Sequence, residues 1–306
     1  MKILVVGGTG PIGSHIAYHF TELGHDVTIS ARKPPAPASA ISDYTFLKGD
    51  YVNKTFMPED LAPFDTIVFA AGQDVRHIPE GADPDAYWET ANVQAAPAFA
   101  ELAKSAGVKN FINIGSFYPQ IDADLINTNS YVKSRHLSDK AICKLSDDSF
   151  HALSLNAPFV VGAAPGVRSL MFDYYTMYAQ GIIPDLPAFG PKGGTNFIST
   201  KSLAQAVEGA IENGEGGKSY LVGDENLTFA EYFQLFFDAA GNPDKVVELD
   251  QEHAMLPDST IFTGRGTYVS YEPDPVETAL LGYERNDIAR AVNDLVSDIV
   301  DWPFGK

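Results

Sequence analysis

Cysteine is nearly absent: Cys143 stands alone in 306 residues. A lone thiol cannot close an intramolecular disulfide, so a small stapled extracellular fold is excluded and a cytoplasmic protein is the expectation. Basic side chains are also scarce, with 21 Lys and Arg against 40 Asp and Glu and a net charge of −19. So negative a surface repels phosphate backbones and anionic lipid, which argues against nucleic-acid and membrane partners. Long hydrophobic runs are missing too, since nothing approaches the roughly 20 apolar residues of a membrane span. The opening Met1-Lys2-Ile3-Leu4-Val5-Val6 has one positive charge and four consecutive apolar residues. That is too short for a signal peptide and reads as a first strand.

What is present is core-forming material, 45% hydrophobic against 20% charged. The length suits one large domain with an attached lobe, or two closely joined domains. The first half alternates short β-branched runs with helical patterns. Strands are expected at Ile3–Val6, Asp26–Ser30, Thr45–Leu47, Thr66–Phe69, Phe111–Ile114 and Leu153–Leu155, the last extending as far as Val161. Between them, Ile12, Ile16, Phe20 and Leu23 fall on one helical face and Gly24 stops that helix. Longer helices are expected over Asp85–Ala106 and Tyr131–Leu145.

Strands separated by helices imply right-handed crossovers in a Rossmann-type, doubly wound parallel α/β sheet. Pro34-Pro35-Ala36-Pro37 is a stiff loop between two strands of that sheet, not a linker. Beyond Ala157, Pro and Gly become frequent and Phe172, Tyr174, Tyr175 and Tyr178 cluster with Met171 and Met177. Phe197–Glu212 and Ser219–Val222 read as a return to the sheet. Thr228–Ala240 is a helix opened by a Thr228/Glu231 capping box, and a last helix lies near Asn286–Val300. The expected division is a dinucleotide-binding domain of 1–156 and about 197–225. A smaller substrate-binding lobe takes 157–196 and about 226–306.

Gly7-Gly8-Thr9-Gly10-Pro11-Ile12-Gly13 sits between the first strand and an amphipathic helix, the setting of a dinucleotide turn. Gly7 permits the sharp turn, Gly10 close approach of backbone to a pyrophosphate, and Gly13 tight packing of helix on strand. The helix N-terminus adds free N–H groups and a positive dipole end, and Pro11 is tolerated in the first turn. Residues Gly7, Thr9, Gly10, Pro11, Ile12 and Gly13 are therefore the candidate phosphate cradle. The second strand ends in Ser30-Ala31-Arg32-Lys33, with no acid to hold a ribose 2′-hydroxyl. Arg32 and Lys33 suit a 2′-phosphate instead, so NADP is favoured and NAD is the alternative.

The Gly7-x-x-Gly10-x-x-Gly13 spacing resembles that of the extended short-chain dehydrogenase/reductases, the superfamily holding the NAD-dependent epimerases and dehydratases. The resemblance runs to about Gly241. Asp50, after Leu47-Lys48-Gly49, matches that family's adenine-contacting acid, and Ala70-Ala71-Gly72 matches the segment after its fourth strand. Asn92 matches a residue that anchors the active-site helix or a water chain, with a plain helix-surface amide as the alternative. Later landmarks are Asn196-Phe197-Ile198-Ser199-Thr200 and Tyr220-Leu221-Val222-Gly223. The resemblance also implies a homodimer joined through the two long helices.

It further implies a catalytic tyrosine that exchanges a proton with the substrate oxygen, a lysine one helical turn on, and a Ser or Thr holding that oxygen. Free tyrosine titrates near ~10, so neutral-pH catalysis needs a cation beside it. Tyr131-Val132-Lys133-Ser134-Arg135 and Ser116 occupy those places, but the lysine position holds Arg135. Its i, i+4 relation to Tyr131 keeps the cation on the right helix face, whereas Lys133 points elsewhere. A guanidinium can support a phenolate and ribose hydroxyls, with a different bulk and fork. Tyr118 either lines the pocket or is an ordinary surface aromatic.

No metal site is expected. His15 and His19 have i, i+4 ligand spacing but no third ligand. Gly216-Gly217-Lys218-Ser219 fails as a phosphate loop because its first glycine would fall at Glu212. The expected function is an NADP(H)-dependent oxidoreductase acting on a carbonyl or secondary alcohol of a small, apolar or aromatic molecule. Two alternatives stay open: a nucleotide-sugar epimerase or dehydratase with tightly held NAD, and a catalytically silent NADP-binding sensor or scaffold.

Overall fold

The computed structural model describes residues 1–299, so Val300, assigned above to the last helix, lies outside the described residues. Among the described residues, twelve strands follow in chain order. They are β1 (Lys2–Val6), β2 (Asp26–Ala31), β3 (Thr45–Lys48), β4 (Thr66–Phe69), β5 (Asn110–Ser116) and β6 (His151–Ala157). The second half adds β7 (Phe159–Val161), β8 (Phe189–Pro191), β9 (Gly194–Ser199), β10 (Ser219–Leu221), β11 (Glu225–Thr228) and β12 (Val247–Leu249). Seven of these form a parallel sheet in the order β10-β6-β5-β4-β1-β2-β3. The Ile3–Val6 run of β1 is buried on both faces, as a central parallel strand requires.

The winding reverses between β1 and β4, which opens a crevice at the carboxyl ends of those strands. Helices cover both faces. On one, Ile16 and Phe20 of the helix Pro11–Glu22 pack with Leu203 and Val207 of the helix Thr200–Asn213. On the other, Phe69, Phe99, Phe111 and Phe150 form a second core. A third, largely aromatic core (Phe172, Tyr175, Phe197, Tyr232, Phe233, Phe236) lies outside the main sheet.

Several sequence expectations need correction. Leu23 is exposed at the C-cap instead of joining the apolar face, because the helix already ends at Glu22. The strand from Leu153 does not continue to Val161. It stops before Pro158, and β7 leaves to pair with β9, and β9 with β11, in a separate three-stranded sheet. Phe197 and its neighbours therefore do not rejoin the main sheet, and of the two expected returns only β10 does so. The long helix expected over Asp85–Ala106 is three pieces, Pro84–Trp88, a π-type stretch Glu89–Ala95, and Ala96–Ser105. Pro97 has no N–H to give to the preceding turn, and the ladder widens just before it. The Thr228/Glu231 capping box is formed, opening the helix Phe229–Ala239.

His253 is fully buried among Tyr178, Phe189 and Phe233, and its Nδ1 accepts from the Met255 N–H at 3.1 Å. Burial pushes its pKa down from 6.5 to about 4. The unfolded chain takes up that proton at higher pH than the fold does, so stability falls as pH drops from 6.5 towards 4. His15, also lowered by burial, adds to the same slope. Thermal melts across this window should lose less Tm in His253→Phe than in wild type; equal losses would remove His253 from the acid response.

Candidate active site

A cleft of about 1380 Å³ runs along the carboxyl ends of the main sheet and under the aromatic lobe. Its first half is the glycine turn. Gly7 has φ of +84°, and a Cβ there would stand 2.7 Å from the Ala70 carbonyl oxygen. A Cβ on Gly13 would lie 2.3 Å from the Gly7 oxygen, so helix and strand can meet only without it. Gly10 differs: the nearest atom to its Cβ position is 3.4 Å away, so the chain's own packing does not demand a glycine. The open space above Gly10, at the N-terminus of a 12-residue helix, fits a pyrophosphate. Thr9, Pro11 and Ile12 line the same wall.

Arg32 and Lys33 stand at the end of β2 on the cleft, with no acidic side chain in that turn. Asp50 also lines the cleft, with Oδ1 accepting from the Val52 and Asn53 N–H groups and Oδ2 from Asn53 Nδ2, so it builds its own turn. Ala70, Ala71 and Gly72 form the floor after β4. Asn92 does not belong on this surface. It is buried, is absent from the lining, and exchanges hydrogen bonds with the backbone of Gln73 at 3.2 and 3.1 Å while donating to Ser134 Oγ. It ties the segment after β4 to the helix Ser130–Cys143, and the π-type turn is what aims it inward.

The helix Ser130–Cys143 is capped by Asn129, whose side chain accepts from the Val132 N–H at 3.0 Å. This cap sets Tyr131 in the first turn, where its ring is buried yet its edge meets the cleft. Arg135 Nη1 donates to the Tyr131 hydroxyl at 3.1 Å, and its Nη2 to the Ile114 carbonyl at 2.8 Å. The guanidinium lies against Gly72, where a Cβ would stand 3.1–3.2 Å from its three terminal atoms. Gly72 thus provides the room that an arginine needs at this position. Lys133 is exposed. Ser116, at the end of β5, is buried and lines the cleft with Tyr131. The structure therefore brings Ser116, Tyr131 and Arg135 together at one end of the glycine-turn cleft. Tyr118 lines it as well, and burial pushes its hydroxyl well above the usual range.

The other half of the cleft is walled by Phe117, Phe159, Met171, Phe172, Tyr175 and Phe229, so the aromatic cluster noted in the sequence does face it in part. Its one arginine, Arg76, was not singled out from the sequence. Nε and Nη2 of Arg76 clasp the Asp74 carboxylate, which also meets His77 Nδ1. Burial raises the Asp74 pKa, but the hydrogen bonds from His77 and Arg76 outweigh it and hold the carboxyl well below its usual range. A loop cation two residues past an acid carries no pattern that marks it as pocket-lining. Phe262, on a loop far along the chain from Tyr131, carries no local pattern that marks it as lining the cleft.

The two first-helix histidines are separately engaged, His15 with the Ala163 carbonyl at 3.1 Å and His19 with Glu208 at 2.8 Å. Among the described residues no helix is long and apolar enough to cross a membrane.

Comparison with known proteins finds relatives of this chain in sequence and in fold. The model of the NAD dependent epimerase/dehydratase family matches residues 3–223. A UDP-glucose 4-epimerase of Streptomyces lividans is 29% identical over 250 residues, covering 71% of this chain and 73% of that one. One from Klebsiella pneumoniae is 33% identical over 123 residues, 37% of this chain and 86% of that sequence. Among solved structures, UDP-glucose 4-epimerase from Bifidobacterium longum in complex with NAD+ and UDP superposes with a TM-score of 0.76. The two chains share 18% identity, with both covered in full.

Proposed function

The chain belongs to the NAD dependent epimerase/dehydratase family and is an enzyme of the short-chain dehydrogenase/reductase type; on that premise we propose an NADP(H)-dependent oxidoreductase acting on a small apolar or aromatic carbonyl or secondary alcohol. A dinucleotide held there would supply or accept the hydride. Tyr131 Oη gives a proton to the carbonyl oxygen as the carbon is reduced, and takes it back in the reverse direction. Arg135, 3.1 Å from that oxygen, stabilises the charge left on it, and Ser116 holds the substrate oxygen. The turn Gly7–Gly13 with Ala70, Ala71 and Gly72 cradles the dinucleotide, Asp50 stands at its adenine end, and Arg32 with Lys33 takes a 2′-phosphate. Residues 157–196 and about 226 onward act as the substrate lobe.

The observation that carries the substrate class is the apolar, mostly aromatic share of the wall, Phe117, Phe159, Met171, Phe172, Tyr175 and Phe229, which outweighs the scattered hydroxyls of Ser169, Thr195, Thr260 and Thr263. A UDP-sugar brings two phosphate charges and several hydroxyls. Each hydroxyl left unpaired against aromatic rings costs about 1–3 kcal/mol. The arginine in that half, Arg76, is already clasped by Asp74.

A second reading is interconversion of a nucleotide sugar with the dinucleotide retained. The relatives weigh for it, since the curated ones named above are UDP-glucose 4-epimerases. One experiment separates the two: the protein is given NADPH with a carbonyl panel, and separately UDP-glucose with NAD+. Alcohol formed in step with NADPH consumed supports the oxidoreductase. Interconversion of UDP-glucose and UDP-galactose without net change in the dinucleotide puts the epimerase first.

A further inference from the structure

Phe262 lies far from Tyr131 in the chain, yet the two rings stack, with centroids 4.5 Å apart and planes 18° from parallel. The same phenyl ring meets Tyr118 edge-on at 5.4 Å and 89°. Trp88 abuts the Tyr131 ring at 5.4 Å and 63°. Phe262 is half-buried and faces the cleft. The proton-transferring tyrosine is thus walled by flat rings, one of which belongs to the substrate lobe.

The loop that carries Phe262 is held at several points. His253 is buried at its start, and Leu256 and Ile261 are anchored in the aromatic core. Arg265 reaches Asp250 at 3.0 Å and Asp258 at 3.1 Å, drawing the two limbs of the loop together. Beyond it, Gly266 N–H donates to the Lys192 carbonyl at 2.8 Å, and Val269 N–H to the Gly194 carbonyl at 3.0 Å. A ring mounted in this way is preset: it rests on Tyr131 and lines the cleft, so a ligand beside it meets it without the cost of ordering a loop.

We propose that Phe262 is the specificity-determining residue of the site, selecting carbonyl substrates in which a flat, unsaturated ring is joined directly to the reacting carbon. This rests on the oxidoreductase reading above. Aromatic faces and edges reward a second planar ring in stacked or edge-on contact. A puckered saturated ring of the same carbon count offers no π face, and a sugar would turn hydroxyl groups toward carbon. Phe262 acts on which substrate is held, while Tyr131 and Arg135 act on the proton.

The test uses acetophenone and cyclohexyl methyl ketone, which share a carbon count and a methyl ketone and differ in the flatness of the ring. Reduction with NADPH is measured for wild type, Phe262→Leu and Phe262→Ala. Wild type should prefer acetophenone in kcat/KM, and Phe262→Leu, which keeps apolar volume without the flat face, should cut that preference about tenfold, chiefly through KM. Phe262→Ala should cut it at least as far. A preference that stays within about twofold of wild type in both variants, or no preference in wild type, overturns the assignment; a merely structural role would depress both ketones together. If wild type reduces neither ketone but interconverts UDP-sugars, the oxidoreductase reading fails by itself. Calorimetric binding of the same two ketones to the NADP+-loaded protein then decides the role of Phe262: a preference for acetophenone lost in Phe262→Leu supports it, and equal affinities overturn it.

Discussion

Tyr131→Phe is expected to lower kcat by about a thousandfold, within the range for loss of a positioned acid/base group, and to leave NADPH affinity within about twofold. The substitution removes only the oxygen that receives the Arg135 hydrogen bond. The ring keeps its contacts with Trp88 and Phe262, so the helix start and the cleft wall stay in place. Steady-state kinetics on the best carbonyl found, with a parallel NADPH titration, measures both quantities. A kcat within tenfold of wild type would move the proton to another hydroxyl, and Ser116 and Tyr118 are the candidates on the cleft.

Arg135→Met should cost about a hundredfold in kcat, the magnitude typical of losing one preorganised donor to developing oxygen charge. The guanidinium is held between the Tyr131 hydroxyl and the Ile114 carbonyl, and Gly72 leaves it the space to lie there. Methionine fills similar volume without charge or donors. Arg135→Lys should recover only part of the loss, because one ammonium cannot reproduce the planar fork that reaches both oxygens. The expected order is therefore Arg above Lys above Met, read in kcat with KM changing less. A lysine variant as active as wild type would mean that charge alone matters and that the second arm, to Ile114, is incidental.

The parallel sheet and the glycine turn were legible in the sequence because both are local. Ile3–Val6 followed by Gly7–Gly13 and an amphipathic helix states its geometry within about twenty residues. The pairing of Tyr131 with Arg135 is likewise local, being one helical turn. The departure from lysine was visible; its accommodation by Gly72 was not, since that depends on how a loop after β4 meets a helix. Asn92 matches a residue that anchors the active-site helix, and it does tie Gln73 to Ser134 of that helix; the π-type turn before Pro97 that buries it there is not legible in the sequence. The departure from the sheet after Pro158 and the stacking of Phe262 on Tyr131 both arise from contacts between distant segments. No periodicity in the chain encodes them.

The most direct measurement of the central claim, a dinucleotide seated between the glycine turn and Tyr131, is tryptophan fluorescence during titration with NADPH and NADH. Trp88 packs on Tyr131, so a nicotinamide beside that tyrosine would lie within energy-transfer range of the indole. The account predicts saturable quenching with sensitised nicotinamide emission. NADPH should bind at least about tenfold more tightly than NADH, a margin expected of a bidentate arginine contact, and Arg32→Ala should abolish it. Equal or tighter binding of NADH would contradict the role of Arg32 and favour the nucleotide-sugar reading. No saturable signal with either dinucleotide would contradict the site itself.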